Sequence, residues 1–273
     1  MTERVTYAYA VARNVGGLEE AAAALIGVAD APVHLVRGTR GDELVLAVSG
    51  VSAQDFQEDA LKDHLENLEW LEAVARAHHG VIEALAARTA VLPLRLATVY
   101  LDDDRARSVL ESEWNAFADR LSHLAAHIEW GVKIYVEPSA QPSAPSPGST
   151  AANGLSPGRA YLRTRKAQQS VRDDVYRAAQ RAAERVEAAG RRHAADRARH
   201  RVQQGELATA PGENVVNDAY LVPIDHAEEF RTEVSGAADG IPGVRVEITG
   251  PWAPYSFAMP PAASGDAAEG AHS

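Results

Sequence analysis

The chain of 273 residues has no cysteine, only two methionines and just 6% aromatic residues. Without thiols, disulfides, thiolate zinc sites, iron–sulfur clusters and a cysteine nucleophile are all excluded. No run of about 18 apolar residues occurs, so no segment reads as a membrane-spanning helix. The opening Met1-Thr2-Glu3-Arg4-Val5 lacks the basic-then-apolar order of a secretion signal. A cytoplasmic protein is the simplest expectation. Also missing are GxxxxGKS/T, GxGxxG and GxSxG, which leaves phosphate-loop, dinucleotide and serine-hydrolase readings unsupported. No residues assemble into a catalytic set, so neither enzymatic activity nor a cofactor or metal is expected.

What is present fits a globular protein. Hydrophobic residues make up 46% and charged residues 24%, enough apolar material for a buried core. The length suits about two domains of roughly 100–200 residues each. The net charge of −11 argues against binding nucleic acid over the whole surface. That charge is uneven: residues 158–204 hold thirteen Lys/Arg against five Asp/Glu, a net of +8, which leaves −19 on the rest.

Periodicity outlines an α+β chain. Val5 to Val11 alternates and is β-rich, and after Gly16-Gly17 an Ala-rich stretch, Leu18 to Gly27, favours helix. Val33–Val36 and Leu44–Val48 flank a Gly-containing loop and read as a hairpin. From Asp55 to Arg88, leucines and valines recur every three or four residues and form one helical face. Leu92 to Tyr100 reads as a strand. Asp102-Asp103-Asp104 opens a helix whose stripe Leu110, Trp114, Phe117, Leu121, Leu124, Ile128 runs on without a break. From Val132 the expected order is strand, long helix (with Gly190 as an interruption), strand, short helix, strand. That order predicts a second, modified ferredoxin-like α/β sandwich with an additional long helix. The resulting domains are 1–126 and 127–260, with residues 138–157 a flexible Ser/Pro-rich insertion and 261–273 a disordered tail.

Each group that could carry chemistry also has a plainer reading. His123 and His127 lie four apart, a spacing that chelates zinc on a helix, but there is no HExxH and no third ligand. They read as boundary histidines, and His78-His79 as packed or hydrogen-bonded. The three aspartates suit Mg²⁺, yet their place before an amphipathic helix makes them caps. The basic helix 158–204 reads as a solvated face that also docks. As an alternative it would be a binding module for nucleic acid or another acidic partner, although no aromatic reading platform accompanies it. In Gly250-Pro251-Trp252-Ala253-Pro254-Tyr255-Ser256-Phe257, prolines stiffen a segment that displays three large aromatics. Pro251, Trp252, Pro254, Tyr255 and Phe257 are therefore candidate partner-interface residues. The plainer reading has Trp252 and Phe257 closing the core of the second domain.

That last segment closely resembles the signature ending the second domain of the gas vesicle GvpF/GvpL proteins, with Ala253 where the family usually has proline. Further matching blocks are Tyr7-Ala8-Tyr9-Ala10, His78-His79 leading to Val91–Val99, Glu129-Trp130-Gly131-Val132-Lys133, Gly158–Leu162 and Asn217–Val222. Leu96-Ala97 stands where the family more often has Phe-Gly. The resemblance, over about residues 5 to 257, implies a two-domain α+β protein without catalytic activity, cytoplasmic and gas vesicle associated. It implies an accessory or minor structural protein whose partners are the hydrophobic shell subunit, whose assembly it assists, and other gas vesicle accessory proteins.

Overall fold

The structure is a computed structural model that describes residues 3–41, 43–56, 60, 64, 67–137, 157–202 and 212–258, without the side chains of 157–164, 167, 168 and 171. The expected insertion, all but Pro157, and the expected tail lie outside these residues. The chain falls into two compact units, Met1–Ile128 with Trp252–Ser273, and Glu129–Pro251. The first break lies close to the expected 126/127. At the other end the division differs from 260, because the chain from Trp252 onward returns to the first unit.

The first unit is built on β1 (Arg4–Arg13), α1 (Leu18–Ala23), β2 (Val33–Arg37), β3 (Leu44–Ser52), the short α2 (Ala53–Phe56), α3 (Leu68–Ala86), β4 (Val91–Pro93) and β5 (Val99–Tyr100). Its sheet runs β2-β3-β1-β4, with β5 also on β1. The β1–β3 register shifts between Ala8 and Ala10, a bulge at Tyr9. Tyr7 and Tyr9 are both fully buried, with ring centroids 5.0 Å apart. Helix α3 lays Val74, His78, Val81, Ile82 and Leu85 onto this core.

Three expectations are corrected here. The helix predicted from Asp55 is not continuous among the described residues: α2 ends at Phe56 and α3 begins at Leu68. Asn67 starts α3 afresh, its side chain accepting the N–H groups of Glu69 and Trp70 at 3.0 and 3.2 Å. The strand predicted over Leu92–Tyr100 is only β4 and β5, because the chain turns between them: Thr98 N–H reaches back to Arg95 O, and Ala97 sits at φ 61. The long helix after Asp102 breaks at Glu113 into α4 (Asp103–Ser112) and α5 (Trp114–Leu124). Residue Ala97 bears directly on the resemblance. A left-handed φ costs an L-residue about 1–2 kcal/mol, which glycine escapes. Ala97→Gly is accordingly expected to raise stability by about 0.5–1 kcal/mol after its extra unfolded-state entropy is deducted. A higher denaturation midpoint would register the gain.

The second unit comprises β6 (His127–Val136), α6 (Pro157–His193), β7 (Asp196–Arg199), β8 (Glu213–Pro223), α7 (Ala227–Ser235) and β9 (Val244–Trp252). Its sheet order is β7-β8-β6-β9. Strand β7 falls inside the stretch read as helix. Its four residues, Asp-Arg-Ala-Arg, are too few and too charged to show a strand period. Small residues on α6 (Ala178, Ala179, Ala182, Val186, Ala189) are buried, as are Phe230 and Val234 on α7. The helix continues through Gly190, where the Tyr220 ring of β8 occupies the space a Cβ would need. Counting strands from the first in each unit, both sheets have the order second-third-first-fourth.

Candidate interaction surface

The Pro/aromatic segment packs on the first unit. Ala253 joins that unit's hydrophobic cluster and Tyr255 packs against it. Pro254 is buried, and Phe257 is 3% exposed. The Tyr255 hydroxyl lies 2.8 Å from His79 Nδ1, while His79 Nε2 lies 3.1 Å from Glu83 Oε1 on the next turn of α3. An Nε2–H donating to Glu83 leaves Nδ1 to accept the tyrosine proton. The Trp252 ring leans on the same imidazole at 5.5 Å and is 37% exposed. Pro251, preceded by a cis peptide bond, is also exposed. Of the five candidates, then, Pro251 and Trp252 face outward, Tyr255 is half-buried, and Pro254 and Phe257 are internal. Phe257 closes a core, as the plainer reading required, but that of the first unit.

The paired tyrosines and His78 form a buried polar chain. Ala97 N–H donates to the Tyr7 hydroxyl at 3.1 Å, and that hydroxyl lies 3.0 Å from His78 Nδ1. His78 Nε2 meets Leu94 O at 3.3 Å. One direction satisfies every group: Tyr7 donates to Nδ1 and Nε2–H donates to Leu94, which requires a neutral ring. Burial works the same way, lowering the His78 pKa from 6.5 to about 4 and raising that of Tyr7. Tyr9 donates to Ser49 Oγ at 2.9 Å and accepts Val28 N–H at 2.8 Å. Two of the sequence blocks thus meet in one network that joins β1, α3 and the 94–97 turn.

The other histidines and aspartates singled out in the sequence do not share one element. His127 lies in β6, not on the helix of His123, although the two rings stack at 6.1 Å. Among the described residues, no group of three or more His, Asp or Glu could hold a metal ion. Asp102 caps α4 by accepting Arg105 N–H at 2.7 Å. Asp103 takes Thr6 Oγ1 at 2.7 Å and His34 Nε2 at 2.8 Å. Burial raises its pKa, but these two hydrogen bonds and nearby charges outweigh it and hold the carboxyl below its ordinary value.

The basic stretch is largely engaged inside its own unit. Arg197 donates Nη2 and Nε to the buried Asp218 Oδ2 at 2.6 and 3.1 Å, and Nη1 to Glu187 at 2.8 Å. Its guanidinium also lies 5.6 Å from the Tyr220 ring. Hydrogen bonding from Arg197 outweighs burial and keeps Glu187 ionised below the usual range. Arg192 and His193 share Glu233, and Arg185 donates to the Ala237 and Asp239 carbonyls. The sequence reading missed this Arg197–Asp218–Glu187 cluster. Its signal was a lone aspartate within the apolar strand Val215–Val222, which needs a buried cation beside it.

The two units define an α+β protein that leaves Trp252 exposed in its Pro/aromatic segment. A family model described as gas vesicle synthesis protein GvpL/GvpF matches residues 5–259. The chain belongs to this gas vesicle protein family. It is 43% identical over 258 residues to "Gas vesicle protein L" of Streptomyces sp. (strain CB03234), covering 94% of each. The crystal structure of GvpF from Microcystis aeruginosa shares the fold at 18% identity, with a TM-score of 0.60 over 93% of this chain and 99% of that one. GvpF from Anabaena sp. PCC7120 aligns at 16% identity and TM-score 0.62, over 95% and 98%. Among the described residues, no helix is long and apolar enough to cross a membrane.

Proposed function

We propose that this protein is a cytoplasmic, non-enzymatic accessory or minor structural protein that binds the hydrophobic gas vesicle shell subunit and assists its assembly. The observation that carries this reading is the family match across residues 5–259. A subunit that builds a gas-facing wall exposes apolar surface before it assembles, and such surface aggregates unless a partner covers it. Trp252 offers the covering protein a large aromatic on a fixed footing, with His79 beneath it and Pro251 and Pro254 stiffening the backbone. Tyr255 extends that surface. Pro254 and Phe257 hold the segment from below. We further read the units as two domains, and the second as a modified ferredoxin-like domain with a long extra helix. Its β-α-β-β-α-β order and its sheet order support that assignment. The nucleic-acid alternative is weaker, because Arg177 and Arg192 of the basic helix and Arg197 of β7 are paired within their own unit.

Co-expression with the shell subunit and pull-down through a tag on this chain tests the reading. The wild type is expected to bring down a soluble complex. Trp252→Ala, with its folding verified, is expected to weaken that complex about 30-fold, the loss typical of an aromatic anchor. A folded wild type that captures no shell subunit would overturn the shell contact. Undiminished capture by Trp252→Ala would remove Trp252 from it.

A further inference from the structure

Strand β9 carries a pattern complementary to itself. Three contacts fix how it lies on β6. The Gly243 carbonyl accepts Glu137 N–H at 3.0 Å, the Arg245 guanidinium lies 4.2 Å from the Tyr135 ring centroid, and the Thr249 side chain abuts Gly131. Residue numbers rise on one strand as they fall on the other, so the pair is antiparallel. In such a ladder, successive residues turn their N–H and C=O groups alternately toward the neighbour and away from it. Gly243 faces β6, and so do Arg245, Glu247 and Thr249. Val244, Val246 and Ile248 therefore present their backbone groups to the other side, where β9 ends the strand order. Among the described residues, Val244–Trp252 make no backbone hydrogen bond outside the ladder. Pro242 and Pro251, lacking N–H groups, bracket this open segment. The opposite edge, β7, is only four residues long and carries Arg197 and Arg199, a protected edge.

We propose that two copies of this chain pair through β9, antiparallel, about a two-fold axis at Val246. Val246 then exchanges both hydrogen bonds with its equivalent, and Val244 does so with Ile248 of the second copy. Arg245 and Glu247, which pair within one strand at 2.9 Å and are each about one-third exposed, stand opposite the second copy's Glu247 and Arg245. The result is a ring of four alternating charges. Register decides the matter. Shifting the axis by one residue in either direction sets Arg245 against Arg245 or Glu247 against Glu247, and like charges directly opposite are destabilising. Only the Val246 register joins the backbone edge, the apolar face and the charges at once, and a two-fold interface requires such self-complementarity.

This inference does not depend on shell binding and is read from the purified chain alone. Sedimentation equilibrium is expected to show a monomer–dimer equilibrium for the wild type. Arg245→Glu and Glu247→Arg, each alone, are expected to weaken it about tenfold or more. An equimolar mixture of the two variants is expected to restore it, since one chain then brings two acidic and the other two basic side chains to the meeting positions. A role for this pair in folding alone cannot produce that rescue. Circular dichroism and unfolding midpoints establish that both variants are folded. A wild type that stays monomeric at every concentration would overturn the proposal, as would a dimer indifferent to both reversals or a mixture no tighter than its components.

Discussion

Gly27→Ala is expected to destabilise the first unit by about 3 kcal/mol or more. Gly27 has φ −103 and ψ −153, a conformation open to alanine, so the cause is space and not the backbone. A Cβ at this position would overlap the Tyr9 hydroxyl and come within 2.8 Å of its Cζ and 3.0 Å of Ser49 Oγ. Tyr9 is fully buried and cannot swing into solvent. Moving it breaks the bonds to Ser49 and Val28 N–H and leaves buried polar groups unpaired, at about 1–3 kcal/mol. Overpacking adds about 1–3 kcal/mol. Urea unfolding of the variant measures the loss. Gly27→Ala with Tyr9→Phe should recover part of it, because the overlapping oxygen is then gone.

Acidification is expected to weaken the same unit through His78. Its folded pKa of about 4 lies below the 6.5 of the unfolded chain, so between these values the unfolded state binds a proton that the folded state refuses. The stability this ring contributes is complete above pH 6.5 and falls away as pH drops toward 4. A separation of that size corresponds to about 3 kcal/mol, at 1.36 kcal/mol per pKa unit. Other groups, Asp103 among them, also lose stability at low pH, so the informative quantity is the difference between wild type and His78→Gln. The variant is expected to be less stable at pH 7, having lost the fit to Tyr7 and Leu94, and to show a shallower decline from pH 6.5 to 4.5. Parallel slopes for the two proteins would show that folding leaves the proton uptake of His78 unchanged. Hydrogen exchange across α3, where His78 sits, assigns the effect to this unit.

Elements whose side-chain period is long and uninterrupted were legible in the sequence. β1, the hairpin of β2 and β3, β8 and the acidic start of α4 all follow from local pattern and capping chemistry. These depend on the nearest few residues, which sequence displays directly. The family was legible for another reason, since the blocks Tyr7–Ala10, His78-His79 with Val91–Val99, and Gly250–Phe257 are combinations that composition does not produce. Tertiary structure decided what those blocks are for. Tyr7, His78 and the 94–97 turn are far apart in sequence, and their hydrogen-bonded chain exists only when α3 is laid on β1. The break at Glu113 leaves the apolar spacing intact, so no local signal marks it. It follows that two histidines spaced for one helix face stand on different elements. The same holds for the Pro/aromatic segment, whose local stiffness and apolar character fit an interface or a core equally. Only the return of the chain to the first unit divides it, burying Pro254 and Phe257 while leaving Trp252 resting on His79 and open to solvent. Local side-chain chemistry set the elements with a long, unbroken period, whereas burial, a property of contacts between distant residues, chose which aromatics stay exposed.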